Sequence, residues 1–140
     1  MRQKLHDALI RTATPLLNPG ETPAATGRAR LGQVSLARNA ALAAASTVLS
    51  GVNLNNAYYV LLTNQRLLLL EPHWLTSRPT AKVVGNIPRP LLSVADVKRA
   101  VMTSVTLSIG GEGKKLLLKY PSLDKEGAES LLKALEASGV

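Results

Sequence analysis

Apolar and polar positions alternate in two different rhythms along this chain, and the change of rhythm marks its organisation. Leu5, Ala8, Leu9 and Thr12 recur at i, i+3, i+4 and i+7, the spacing of one helix face, and predict a helix over 3–13. Pro15, Asn18-Pro19-Gly20 and Pro23 then break the chain. A weakly signalled strand is predicted over 24–31. From Gln33 to Ser50 the chain is rich in alanine, a strong helix former. Drawn as a helix, this stretch gathers Ser35, Asn39, Ser46 and Ser50 on a narrow stripe, while Ala41, Ala44, Ala45, Val48 and Leu49 cover much of the rest. Such a helix needs burial against something, and Gly51 and Asn53 would end it.

The rhythm then shortens. Tyr58–Leu62 and Leu67–Leu70 are apolar runs joined by the polar link Thr63-Asn64-Gln65-Arg66, which predicts a hairpin. Because the runs are unbroken, both strands are expected to be covered on two faces. Pro72 ends the second, and His73–Pro79 is a loop holding Trp74, which is expected to pack over one side of the sheet; insertion at a membrane interface is the other role open to it. Ala81–Ile87 and Leu91–Arg99 are predicted strands, bent apart by Pro88 and Pro90. Val105, Leu107 and Ile109 alternate with Thr106 and Ser108, and Gly110–Gly113 turns the chain into Lys114–Tyr120, with Leu116, Leu118 and Tyr120 on one face. After Pro121, Ser122 or Asp124 can cap a helix in which Ala128, Leu131, Leu132 and Leu135 form an apolar stripe. Seven short strands of this kind must close or pack to remove their edges, and a helix with one apolar stripe can plug the open mouth.

Composition sharpens this picture in three ways. With no Phe, one Trp and three Tyr among 140 residues, the core of this single domain must be aliphatic, with few platforms for stacking a base or a sugar. Absence of cysteine removes disulfides, thiol nucleophiles and thiolate metal sites, and fits a reducing compartment. No stretch is apolar for the ~20 residues a membrane helix needs, and the first residues carry no sustained apolar run, so a cytoplasmic location without a signal peptide is expected. The net charge of +8 is uneven: residues 22–120 hold twelve Lys/Arg against Glu71, Asp96 and Glu112, whereas residues 121–140 are net acidic. A basic strand region attracts phosphate groups, though charge of this size also serves solubility.

The order of elements, and some of the residues, resemble the bacterial pleckstrin-homology-like (PH-like) domains. Tyr59–Leu70, read as apolar–Leu–Thr–Asn–x–Arg–Leu–apolar, is similar to that family's hairpin. Pro19-Gly20-Glu21 resembles its opening Gly-Glu, and Ile87-Pro88 with Leu92–Val97 resembles the strands before its last hairpin. The resemblance spans residues 20–137, with residues 1–19 as an added helix and linker and an insertion near 34–52. It implies a mainly β, antiparallel barrel of about seven strands closed by a C-terminal helix. It also implies a binding or scaffolding role, since such domains bind phosphoinositides, peptides or proteins and often self-associate. The closing helix departs from the pattern in carrying leucines where the superfamily has a large aromatic residue. Arg28 and Arg30 would share a strand face as in phosphoinositide binders, yet no basic residue lies between Arg11 and Arg28 to supply the upstream partner.

Candidate chemistry is sparse. His6 and His73 stand apart in sequence, no catalytic triad assembles, and no acids cluster as metal ligands, so no catalytic residue, cofactor or metal is expected. Gly110–Lys115 lacks the Ser/Thr and the following helix of a phosphate loop. Arg66 is expected to pair with a nearby acid or carbonyl, and Glu71, Asp96 and Glu112 to pair with the surrounding bases. The function expected is a non-catalytic one, through protein–protein contact or self-association, with Ala41, Ala44, Ala45, Val48 and Leu49 as the candidate interface. The alternative is binding to an anionic surface, acidic lipid headgroups ahead of nucleic acid, through Arg28, Arg30, Lys82, Lys98, Arg99, Lys114, Lys115 and Lys119.

Overall fold

The computed structural model describes residues 3–35, 56–110 and 115–138. Among them α1 (Gln3–Ala13) precedes seven strands: β1 (Pro23–Ser35), β2 (Ala57–Thr63), β3 (Arg66–Pro72), β4 (Pro79–Pro88), β5 (Leu92–Arg99), β6 (Thr103–Ile109) and β7 (Lys115–Tyr120). The helix α2 (Lys125–Ser138) closes the chain. All strand pairs are antiparallel, in the order β4-β3-β2-β1-β7-β6-β5. The mainly β, antiparallel arrangement of seven strands with a closing helix is therefore present.

β1 is the hinge of the sheet. Its first part pairs with β2 as far as Arg30↔Ala57, and from Arg30↔Lys119 onward it pairs with β7. It runs to Ser35, because Gln33, Val34 and Ser35 find partners in Leu117, Leu116 and Lys115. The expected helix over 33–50 is thus corrected at its start: Gln33–Ser35 are strand. Its remainder, including the candidate interface Ala41, Ala44, Ala45, Val48 and Leu49, lies outside the described residues, as does Lys114.

Two apolar layers hold the sheet. On its inner side Ala25, Ala29 and Leu31 of β1, alternate residues of β2, β3, β6 and β7, and Ala128, Leu131, Leu132 and Leu135 of α2 form the main core. From Ala25 to Ala29 β1 contributes only small side chains because α2 crosses it closely there: a Cβ on Gly27 would lie 2.8 Å from the Tyr120 ring and 3.3 Å from Cα of Gly127. On the outer side Tyr59, Leu61, Leu68 and Leu70 are fully buried beneath Leu9 and Ala13 of α1, flanked by Leu5, Ile10, Leu16 and Leu17. Hence the unbroken apolar runs of β2 and β3: α1 covers the face that a two-layer sandwich would leave wet.

The hairpin link is a polar lock. The Thr63 hydroxyl accepts the N–H groups of Gln65 and Arg66 at 3.0 Å and donates to Glu21 Oε2 at 2.6 Å. Asn64 bonds back to Gly20 and Thr22 at 3.0 and 2.9 Å. Arg66 holds Glu21 with two nitrogens, at 2.9 and 3.1 Å, and donates to the Leu16 carbonyl at 2.8 Å. The acid and the carbonyl expected for Arg66 are both there. Arg89 closes the same end, donating to Thr63 O at 2.8 Å and to Ala134 O near the end of α2 at 2.7 Å. A cation among the last carbonyls of a helix also meets the negative end of its dipole.

Candidate functional site

The opposite end of the sheet is built differently. Strand alternation sends Ala25, Ala29 and Leu31 inward and Arg28 and Arg30 outward. The Arg28 guanidinium lies over the Tyr59 ring, 5.4 Å from its centroid, while its backbone N–H donates to the buried Asp124 carboxylate at 2.8 Å. Arg30 stands opposite Lys119 across the β1–β7 pair. Gly32 leaves room for the Lys119 stem, since a Cβ there would sit 2.5 Å from Lys119 Cε. Arg28, Arg30 and Lys119 thus form a short basic stripe.

Beside the stripe runs a groove of about 380 Å³, lined by Leu5, Arg28, Arg30, Ala57, Pro121 and Leu123 among others. A second groove, of about 270 Å³, shares Arg28 and Ala57 and reaches Pro72 and Trp74. Arg28 is the ridge between them.

Trp74 sits on the β3–β4 loop, residues 73–78, and is 86% exposed, with Leu75 at 69%. The expectation that Trp74 packs over the sheet is corrected. α1 already fills the outer face, and the loop bonds to itself instead of folding back. His73 N–H donates to Arg78 O at 2.7 Å and Ser77 N–H to His73 O at 2.9 Å. His73 Nδ1 accepts the N–H groups of Leu75 and Thr76 at 3.1 and 3.2 Å, and the Trp74 ring stacks on the imidazole with centroids 6.0 Å apart. The buried Tyr59 hydroxyl donates to Ser77 O at 2.5 Å and anchors the loop, with Ser77 held at a positive φ of 61°. Burial pushes the Tyr59 hydroxyl's pKa up, against the opposing pull of Arg28 and Arg78, so both arginines bear on this anchor.

The remaining candidate cations are dispersed. Lys82 on β4 pairs with Glu71 at 3.2 Å, as expected of that acid. Arg99 on the edge strand β5 pairs with Glu129 of α2 at 2.7 Å, with Lys98 beside it. Lys115 opens β7. The two histidines are not brought together: His6 Nδ1 meets Thr26 Oγ1 at 2.7 Å and ties α1 to β1, while His73 is in the loop. Among the described residues no three His, Cys, Asp or Glu side chains gather as metal ligands, and no helix is long and apolar enough to cross a membrane. Sequence reasoning passed over Arg78 and Leu75, and set the interface role of Trp74 behind packing on the sheet. One signal was present: a lone Trp, bracketed by Pro72 and Pro79, with no apolar rhythm around it to claim it for a core.

No family model matches this chain, and no curated protein matches it. Among solved structures it is similar to the crystal structure of a pleckstrin homology domain from Shewanella amazonensis SB2B, with 15% identity over 91% of each chain and a TM-score of 0.47.

Proposed function

We propose that the chain is a non-catalytic binding module that docks on an anionic phospholipid surface through the end of the sheet bearing Arg28, Arg30, Lys119 and the 73–78 loop. One observation carries this reading: Trp74 and Leu75 are presented together to solvent on a loop held by its own hydrogen bonds, and Trp74 borders a groove shared with Arg28. An indole beside cations suits the headgroup layer, where the ring takes the interface and the guanidiniums meet phosphate. The excess of bases over acids in residues 22–120 supports it.

The test is co-sedimentation with phosphatidylserine-containing vesicles against vesicles of phosphatidylcholine alone. Binding is expected to the anionic vesicles only, to weaken with salt, and to shift the emission of Trp74, the sole tryptophan, to the blue. The double change Trp74→Ala with Leu75→Ser removes the apolar contact and is expected to weaken binding about tenfold or more. It should alter stability by no more than ~0.5 kcal/mol, as both side chains are exposed. Equal indifference to both vesicle types would end this reading.

The first groove favours a second reading. Leu5, Pro121 and Leu123, the last of these 93% exposed, form an apolar floor beside two arginines, which suits a protein segment or a second copy of the chain. Light scattering after gel filtration at low and high salt separates the two readings. A salt-resistant oligomer favours protein contact, because apolar burial is insensitive to screening.

A further inference from the structure

The 73–78 loop is closed by an imidazole used as an acceptor. His73 Nδ1 takes the N–H groups of both Leu75 and Thr76, at 3.1 and 3.2 Å. In that state the neutral ring carries its proton on Nε2. Protonation makes Nδ1 a donor facing two donors, so both bonds are lost together. The outer ties of the loop do not involve the ring: His73 N–H to Arg78 O, Ser77 N–H to His73 O and Tyr59 hydroxyl to Ser77 O remain. Only the tip, Trp74-Leu75-Thr76, loses its inner support. The charged groups on the loop and the elements around it are Arg78, Glu71 of β3, Lys82 of β4 and Arg28 of β1; Glu71 is already held by Lys82.

We propose that protonation of His73 releases the Trp74–Leu75 tip and adds a cation beside it, so that mild acid strengthens docking on an anionic surface. Release of the tip stands on the loop geometry alone; its effect on docking rests on the membrane reading above. The two bonds are lost at the Leu75 and Thr76 amides, and the new charge joins Arg28 and Arg78 near the contact; attraction of the imidazolium for the stacked indole opposes release and is the smaller effect, about two- to fivefold at an exposed site.

The switch is tested first in the free protein, by following the backbone amide resonances of Leu75 and Thr76 together with the His73 ring signals as the pH is lowered from roughly 8 to 5. Both are expected to move in step with the His73 ring signals, with opening of the tip rising by up to about tenfold as two hydrogen bonds are lost. His73→Asn places an amide oxygen near the position of Nδ1 and does not titrate, so its Leu75 and Thr76 signals should stay flat; His6→Gln should leave the transition intact. Amides that ignore the His73 titration, or an unchanged transition in His73→Asn, would overturn the proposal. In the second arm, binding to phosphatidylserine vesicles should tighten roughly fivefold over the same range, as one added cation near such a surface predicts, and should be flat in His73→Asn. A clear amide transition with no vesicle binding at any pH would sink the membrane reading while upholding the switch.

Discussion

The two ends of this sheet use the same residue type for opposite purposes. At the hairpin end Arg66 and Arg89 point inward and fasten three segments, the α1–β1 linker through Leu16 O and Glu21, the end of β2 through Thr63 O and α2 through Ala134 O. At the other end Arg28 lies on an aromatic ring at the rim of two grooves, beside Arg30 and an exposed tryptophan. What separates them is the supply of acceptors. The hairpin end offers a buried carboxylate and carbonyls that no strand partner uses; the loop end offers a π face and solvent. The parts of the sequence that most resemble a family motif are therefore scaffold, and the proposed contact surface joins the Arg28–Arg30 pair to the 73–78 loop, to which no motif pointed.

The sharpest way to break this contrast is Arg66→Ala. It would strand the Glu21 carboxylate, whose side chain is fully buried, without its cation. Removing one partner of a buried pair costs about 3 kcal/mol, which lowers Tm by about 10 °C in a domain of this size. Thermal or urea denaturation reads the loss directly. Vesicle binding by the fraction that remains folded should be unchanged, because the lock is at the far end from Trp74. Loss of binding in folded Arg66→Ala would show that the two ends are not independent.

Much of this was legible in the residues, and the gaps have physical causes. Seven strands were placed from apolar runs, alternation and Pro/Gly punctuation, with β1 stopped short at residue 31 where it runs to Ser35. β1 was faint because its inward positions are Ala25, Gly27 and Ala29, small so that α2 can approach, and small residues carry little hydrophobic rhythm. The apolar runs of β2 and β3 announced cover on both faces, yet the cover itself comes from α1, some fifty residues earlier. Gly20-Glu21 and Thr63-Asn64-Gln65-Arg66 read as two separate motif fragments. In the fold they are one hydrogen-bonded unit, and no local pattern records a bond between positions 21 and 66. The Trp74 loop was misread because a large aromatic residue ordinarily argues for burial. Only the closed bonding of residues 73–78 shows that nothing draws it inward.

A smaller effect separates the ends by pH. Burial works to raise the Glu21 carboxyl's pKa, but hydrogen bonds from Arg66, Thr63 and the Asn18 N–H, with the charge of Arg66, hold it below the usual 4.5. A carboxyl depressed in the folded state contributes stability above its unfolded pKa. That contribution is lost as pH falls through the folded value. Urea denaturation is therefore expected to show falling stability below about pH 4.5, with a shallower slope in Glu21→Gln. An identical acid limb in parent and variant would show that the lock does not depend on ionised Glu21.

The smallest expected effect tests the loop end alone. Arg28→Gln and Arg30→Gln each remove one cation near the proposed contact, worth about 1 kcal/mol at an anionic bilayer, or roughly a fivefold loss of vesicle affinity apiece. Arg28→Gln forfeits the stacking on Tyr59, at most ~1 kcal/mol of stability. Because Arg28 also bounds the groove that reaches Trp74, combining Arg28→Gln with Trp74→Ala is expected to be less than additive in binding. Arg30, which lines only the first groove of the two, should combine additively with Trp74→Ala. Additivity in both pairs would separate the tryptophan from the basic stripe and make them two surfaces instead of one.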